Sequence, residues 1–396
     1  TLDGKQLQDT GAGPLFRSTG VTPLSKIAIP GDWKGDKILF AVPASEGSSV
    51  WRAVIEPGEF AITAKPVRVT PGRDADIQPI SERGGRIAVF GRQVYNVDIW
   101  SYPAATNEGK LTGAPTRWTR DPGIDIVPSL SADGGRLLFQ SNRTGYYEPW
   151  ILDLQGGKET RAGAATQNQT SPLISPDKTK VVYSEERIGR FEQFVKRLGG
   201  GPAEVLCEDC GAAATGWRHD SRAVLINTLA EKTRLTVSLL KVDGGEKTLL
   251  LDDPRNDLDQ ARFSPDDRAI VFVARESGGI SRLYVAAYRG AGPLPASEWI
   301  PITEGKSWDT GPQWSPDGRL IYFISTRDGH RCLWGQRLDG AGRAAGQAFA
   351  VAHFHTARRS PARLPFDKTD LMVGRNNILF SLGDLTGNIY CAKVPE

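Results

Sequence analysis

Few residues in this chain could do chemistry. Four cysteines and four histidines stand among 396 residues. Cys207 and Cys210 form a Cys-x-x-Cys, "CEDC". That spacing suits a redox pair, half of a zinc site or a small loop disulfide. No second Cys-x-x-Cys completes a zinc set, and no βαβ pattern surrounds this one, so a redox enzyme is disfavoured. A loop disulfide or two plain thiols remain, and Cys207–Cys210 is carried forward as the candidate disulfide. Cys332 and Cys391 lie near an aromatic column of the last repeats and are expected to be buried singly.

His353 and His355 form "HFH", and strand alternation would turn both imidazoles to one face. Two ligands fall short of the three that zinc takes from a protein even in open sites. The expectation is therefore no metal and no cofactor. His219 stands where other repeats carry the proline of "SPD" and reads as a turn residue. No G-x-S-x-G nucleophile elbow occurs, and no helical segment could hold one. No catalytic residue is assigned.

The charged residues recur by position. Asp36, Asp133, Asp177, Asp220, Asp266 and Asp317 each fall in a turn, which favours a turn role over acid catalysis. Arg143 in "SNRTG" and Arg327 in "STRDG" occupy one structural slot, and Asp125 and Asp309 share another. They fit either an Arg–Asp contact between strands or blades, or the rim of a central channel. With the neighbouring Trp308 and His330, the set Asp125, Arg143, Trp308, Asp309, Arg327 and His330 is the candidate partner-binding surface. "HTARRSPAR", from His355 to Arg363, reads as a solvated basic loop.

These residues sit on a repeat. "LSADGGRLLF", "ISPDKTKVVY", "FSPDDRAIVF" and "WSPDGRLIYF" restate an apolar residue, a tight turn and a strand. The apolar residue recurs at Trp33, Ile80, Leu130, Ile174, Trp217, Phe263, Trp314 and Val373. A second, mostly aromatic column follows at Trp51, Trp100, Trp150, Phe194, Ser238, Tyr284, Trp334 and Tyr390, in steps of 44–56 residues. Helical periodicity is absent. Four short strands at this period are the blade of a β-propeller. The chain is expected to be all-β, a single closed propeller over residues 1–396 with eight four-stranded blades, seven being the alternative. The turn anchors lie near residues 35, 83, 133, 177, 220, 266, 317 and 376. The last unit ends after its third strand, and the N-terminal stretch 13–19 is expected to close it.

Bulk composition excludes several classes. Hydrophobic residues are 39% and charged residues 24%, a folded composition. With 49 basic and 46 acidic residues the net charge is +3, which gives nucleic acid or an anionic membrane no dominant attraction. No apolar run approaches the roughly 18–20 residues of a membrane span. The chain starts at Thr1 without a signal peptide, and is expected to be a processed product or a piece of something longer.

The "SPDG" and "SADG" turns, followed by "SNRTG" or "STRDG", resemble the propeller repeats (PD40, WD40-like) of TolB-type periplasmic proteins. Similar repeats occur in propellers fused to bacterial receptor serine/threonine kinases and winged-helix regulators, and the closing "GDLTGNIY" resembles the end of the kinase-fused kind. The resemblance covers about residues 20–394. It implies a non-catalytic, monomeric binding or sensing module outside the cytoplasm, taking a protein, a peptide or a small ligand. The alternatives are the propeller gate of a prolyl-oligopeptidase-like hydrolase and a lactonase-type propeller enzyme.

Overall fold

The computed structural model describes residues 29–395, apart from 45–46, 57–60, 72–74, 164–165, 188–189, 209, 211–212, 231–232, 277–278, 291, 356–358 and 362–369. The stretch 13–19, expected to close the last unit, lies outside the described residues. The chain divides into two compact units, residues 1–95 with 384–396, and residues 96–383.

The larger unit is built of blades. Among the described residues it holds five four-stranded antiparallel sheets in simple up-down order. Their inner strands are Asp125–Leu130, Gln169–Ile174, Ala213–Trp217, Asp257–Phe263 and Asp309–Trp314, which define blades 1 to 5. The fifth continues through Leu320–Ser325 and Cys332–Arg337 to the outer strand Phe349–Ala352. A composite sheet stands beside them. Leu371–Val373 pairs with the start of Asn377–Lys393, and the second part of Ile87–Ala105 pairs with Thr116–Arg117. The two halves are joined by the Ala104 N–H donating to Asn376 O at 2.9 Å.

Apolar layers explain why blades stack. Blades 3 and 4 share Leu225, Val237, Leu258, Phe263 and Phe272, and blades 4 and 5 share Val271, Leu283, Ile321 and Phe323. The composite sheet meets blade 1 through Ile99, Leu137, Phe139 and Leu379, and blade 5 through Tyr322, Leu333 and Phe380. Full burial of each such side chain contributes about 1.5–3 kcal/mol. A single blade would leave one face wet, so only the stack accounts for the fold.

The smaller unit, by itself, is a meander of Ile29–Lys34, Lys37–Ala44 and Gly47–Glu56, with Ala75–Ser81 pairing to the first part of Ile87–Ala105. Leu39, Val50, Ala88 and Phe90 form its core.

The expected eight blades, or seven, are corrected to five blades of four strands each. The reason lies in the turn columns. Trp33 and Ile80 belong to the apolar column that would pack between blades, yet they are 46% and 55% exposed. Neither precedes a Ser-x-Asp turn, and their strands join a larger mixed sheet instead of separate blades.

Candidate functional site

The turns that follow the inner strands are held by their own side chains. In blade 1, Ser131 Oγ donates to Asp133 Oδ1 at 2.7 Å and accepts from the Arg136 N–H at 3.0 Å. Ser175–Asp177, Ser264–Asp266 and Ser315–Asp317 repeat this clasp. The carboxylates also accept from the backbone two residues on, the Asx-turn chemistry that makes Asp the preferred residue. The next position always has positive φ: Gly134 at 72°, Lys178 at 61°, Ser221 at 60°, Asp267 at 58° and Gly318 at 71°. Glycine suits it. Where another residue stands, its side chain reaches the preceding blade. Lys178 Nζ donates to Asp133 at 2.7 Å, and the Lys178 ammonium holds that carboxyl well below the usual range. Ser221 Oγ accepts from the Asp177 N–H at 3.1 Å. Asp267 accepts from the His219 N–H at 3.1 Å, and its Oδ1 lies 2.7 Å from His219 Nδ1.

These turns surround a cavity of about 580 Å³ on the axis of the larger unit. Its wall is the column Leu130, Ile174, Trp217, Phe263, Trp314 and Val373. The column thus serves two ends, packing between blades and facing the axis. The Trp217 indole N–H donates to Leu173 O at 3.2 Å and the Trp314 indole N–H to Arg262 O at 3.3 Å, so each ring is fixed to the preceding blade. A Cβ at Gly216 would lie 3.1 Å from Ala261 O and 3.3 Å from Arg262 Cδ, so a larger residue would require the neighbouring strand to give by a few tenths of an ångström.

Arg262 lines the cavity together with Asp133 and Arg375, its own side chain 15% exposed. Its ion pair with Asp370 is long, 3.8 Å. Burial lowers its pKa, while Asp370 and Asp259 act in the opposite sense. A guanidinium keeps its charge in a protein, so this is a cation in a wall of mixed polar and apolar groups. Such a wall can hold an apolar chain by contact and an anionic group by paired hydrogen bonds.

The residues singled out in the sequence fall elsewhere. Asp125 and Asp309 begin inner strands of six residues, roughly 17 Å from the funnel end. Arg143 Nη2 lies 3.3 Å from Asp125, while Nη1 pairs with Glu159 on the outer strand of the same blade. Its guanidinium lies 4.7 Å from the Trp150 ring. Arg327 repeats the arrangement, 3.4 Å from Asp309 and 5.0 Å from both Phe323 and Trp334. Burial pushes the carboxyls of Asp125 and Asp309 up, with Ser141 and Ser325 and the arginines opposing it. Trp308 is half-buried beneath Arg331. His330 is exposed, its ring tilted against that of His355 with centroids 4.3 Å apart. These residues lie together by blade, Asp125 with Arg143 and the other four at one end of blade 5. The Cys207 and Cys210 sulfurs are bonded, with Cα atoms 5.7 Å apart. Cys332 is buried, and Cys391 is exposed rather than buried.

Sequence reasoning missed Arg262, Asp328 and Cys332 as candidate residues. Arg262 directly precedes the column residue Phe263, the one signal available for it. Asp328 and Cys332 join His353 and His355 only once blade 5 is folded.

No protein-family model matches the chain. Tricorn protease homolog 1 of Streptomyces coelicolor is 29% identical over 204 residues, covering 48% of this chain and 18% of that protein. A TolB homolog of Chlorobaculum tepidum is 24% identical over 168 residues, covering 42% of this chain and 38% of that protein. The chain therefore spans well under two thirds of these relatives. Among solved structures, one from Agrobacterium tumefaciens described as a TolB superposes with TM-score 0.53 at 18% identity, over 76% of this chain and 99% of that one. TolB of Acinetobacter baumannii gives 0.50 at 14%, over 78% and 80%. At these identities the structural likeness is one of fold.

Proposed function

We propose that this TolB-like β-propeller is a non-catalytic binding or sensing module that takes an extended protein or peptide segment into the axial funnel. One observation carries the reading: a cavity of about 580 Å³ whose lining combines apolar and indole side chains with polar groups and Arg262. Its volume falls in the usual range of ligand sites, about 300–1,000 Å³. The rim hydroxyls and carboxylates named above are committed to the turns and to neighbouring blades. The preferred ligand carries a carboxylate, the C-terminus of a chain being the simplest. The bonded Cys207–Cys210 pair supports action outside the cytoplasm, where disulfides persist.

The test uses a hexapeptide library with free or amidated C-termini, read by fluorescence anisotropy. A charge-assisted bond to a guanidinium contributes about 1.5–3 kcal/mol. Free acids should therefore bind roughly tenfold to a hundredfold tighter than amides, and Arg262→Met should abolish the difference. Equal binding of both series, or an unchanged preference in Arg262→Met, would refute the reading.

A second reading rests on the Streptomyces match, whose name is that of a protease. Here the chain is the propeller portion of a larger peptidase. A hydrolase domain in the same reading frame, together with peptide turnover by the whole product, would favour it.

A further inference from the structure

Blade 5 carries a second cluster, remote in chemistry from the funnel. Asp328 lies in the hairpin between the second and third strands, and Cys332 opens the third strand. His353 and His355 follow the outer strand Phe349–Ala352. One ligand atom from each of the four lies within 4.8 Å of all the others. Asp328 Oδ2 is 3.0 Å from His353 Nδ1 and 3.2 Å from His355 Nε2.

The placement follows from packing. Phe354, between the two histidines, is buried and meets Phe380 edge-on at 5.3 Å. Anchoring that ring in the core directs both imidazoles to the other side, towards Asp328. The Phe354 N–H also donates to Cys332 Sγ at 3.4 Å, and Cys332 is fully buried. The His330 N–H donates to Asp328 Oδ1 at 3.2 Å, leaving Oδ2 turned to the histidines. An N–H on the sulfur and another on the carboxylate are the outer contacts that orient metal ligands.

We propose that Asp328, Cys332, His353 and His355 form a zinc site. The donor set decides the metal. Thiolate and imidazole select Zn²⁺ over Mg²⁺ and Ca²⁺, which want oxygen ligands. Bond lengths of about 2.0–2.3 Å put tetrahedral ligands roughly 3.3–3.7 Å apart. The cluster brackets that spacing, and the exposed imidazoles are free to adjust. Four protein donors fill the tetrahedron, so the site is structural, stapling the 326–331 hairpin to the segment beyond the outer strand. Binding displaces the thiol proton and needs an unprotonated ring nitrogen on each histidine.

The test uses the whole chain carrying Cys391→Ser, so that Cys332 is the remaining free thiol, with the Cys207–Cys210 bond intact. Co²⁺ alone is titrated first. One equivalent should produce the intense visible bands of tetrahedral cobalt and a sulfur-to-cobalt band in the near ultraviolet. Zn²⁺ should erase both and raise the melting temperature by several degrees. Cys332→Ser should lose the ultraviolet band. The double variant His353→Ala, His355→Ala, altered at exposed positions, should weaken binding more than tenfold and lose the melting shift. Absence of both bands in the parent chain, an ultraviolet band surviving in Cys332→Ser, or undiminished binding in the double-histidine variant would each overturn the site. If Cys332→Ser fails to fold, the double-histidine variant decides.

Discussion

Removing Arg327 separates a clasp that holds a blade from a surface that waits for a partner. Asp309 is 1% exposed and Arg327 24%, and they are 3.4 Å apart. Breaking a buried pair by deleting one partner costs about 3–5 kcal/mol, while an exposed pair is worth about 0–1 kcal/mol. This pair lies between, at about 2 kcal/mol. Two ring contacts at 5.0 Å add about 0.5 kcal/mol each. Arg327→Ala should thus lose about 3 kcal/mol at neutral pH, a fall of roughly 6–12 °C in melting temperature. The loss should depend on pH. Burial already raises the Asp309 pKa, with Arg327 among the groups opposing it. Without the arginine the pKa rises further, so the folded variant holds the proton to higher pH than the parent. The deficit is then full above the variant's folded pKa and shrinks as pH falls through it, because a protonated Asp309 needs no partner. Asp309→Asn in the Arg327→Ala background should recover part of the loss at neutral pH. The assay is thermal unfolding at pH 7.5 and pH 4. A variant that melts with the parent at both values would refute the clasp and favour the partner-binding reading of Arg327 and Trp308.

Two further outcomes bear on the turns. Ser315→Ala strips an acceptor from the N–H of fully buried Leu320 and a donor from Asp317. It should cost about 1–3 kcal/mol in urea unfolding. Lys178→Gly and Asp267→Gly make the same change at the same positive φ with opposite results. The first relieves about 1–2 kcal/mol of backbone cost against an exposed ion pair, and should be neutral or mildly stabilising. The second also loses the contacts to His219 and should destabilise by about 1 kcal/mol. Equal shifts would show that the side chains at this position do nothing.

The blade was legible because its turn is local. Serine, aspartate and a residue able to take positive φ lie within four positions, so the string "SPDG" carries the whole device. The same locality misled the count. Trp33 and Ile80 precede turns and strands of the right pattern, but no Ser-x-Asp clasp follows either, and that omission separates them from Leu130 or Trp314. The strands Ile87–Ala105 and Asn377–Lys393, 19 and 17 residues long, lie where the repeat columns called for separate shorter strands. The charged candidate site residues were legible because they recurred. Asp125 and Asp309 stood out by repetition, whereas Arg262 occurs once. Asp328 and His353 are 25 residues apart, and only hairpin register brings them together.

The fourth turn position also divides the rim of the larger unit. Lys178, Ser221 and Asp267 link blades 1 to 4 into one arc. At Gly318 the series stops, for glycine has nothing to extend to blade 4. Blade 5 instead turns to the composite sheet, where the Asp317 N–H donates to Asn107 at 3.2 Å and Tyr322 Oη to Thr106 O at 2.6 Å. Gly134 ends the series again between that sheet and blade 1. The rim is therefore a collar with two plain joints, one long arc facing one short one. Arg262 stands on the long arc and Trp314 on the short, and the indole hydrogen bond between them crosses a joint. A ligand that wedges the joint apart would be felt first as exchange of the Trp314 indole proton, giving the funnel its own optical and magnetic reporter.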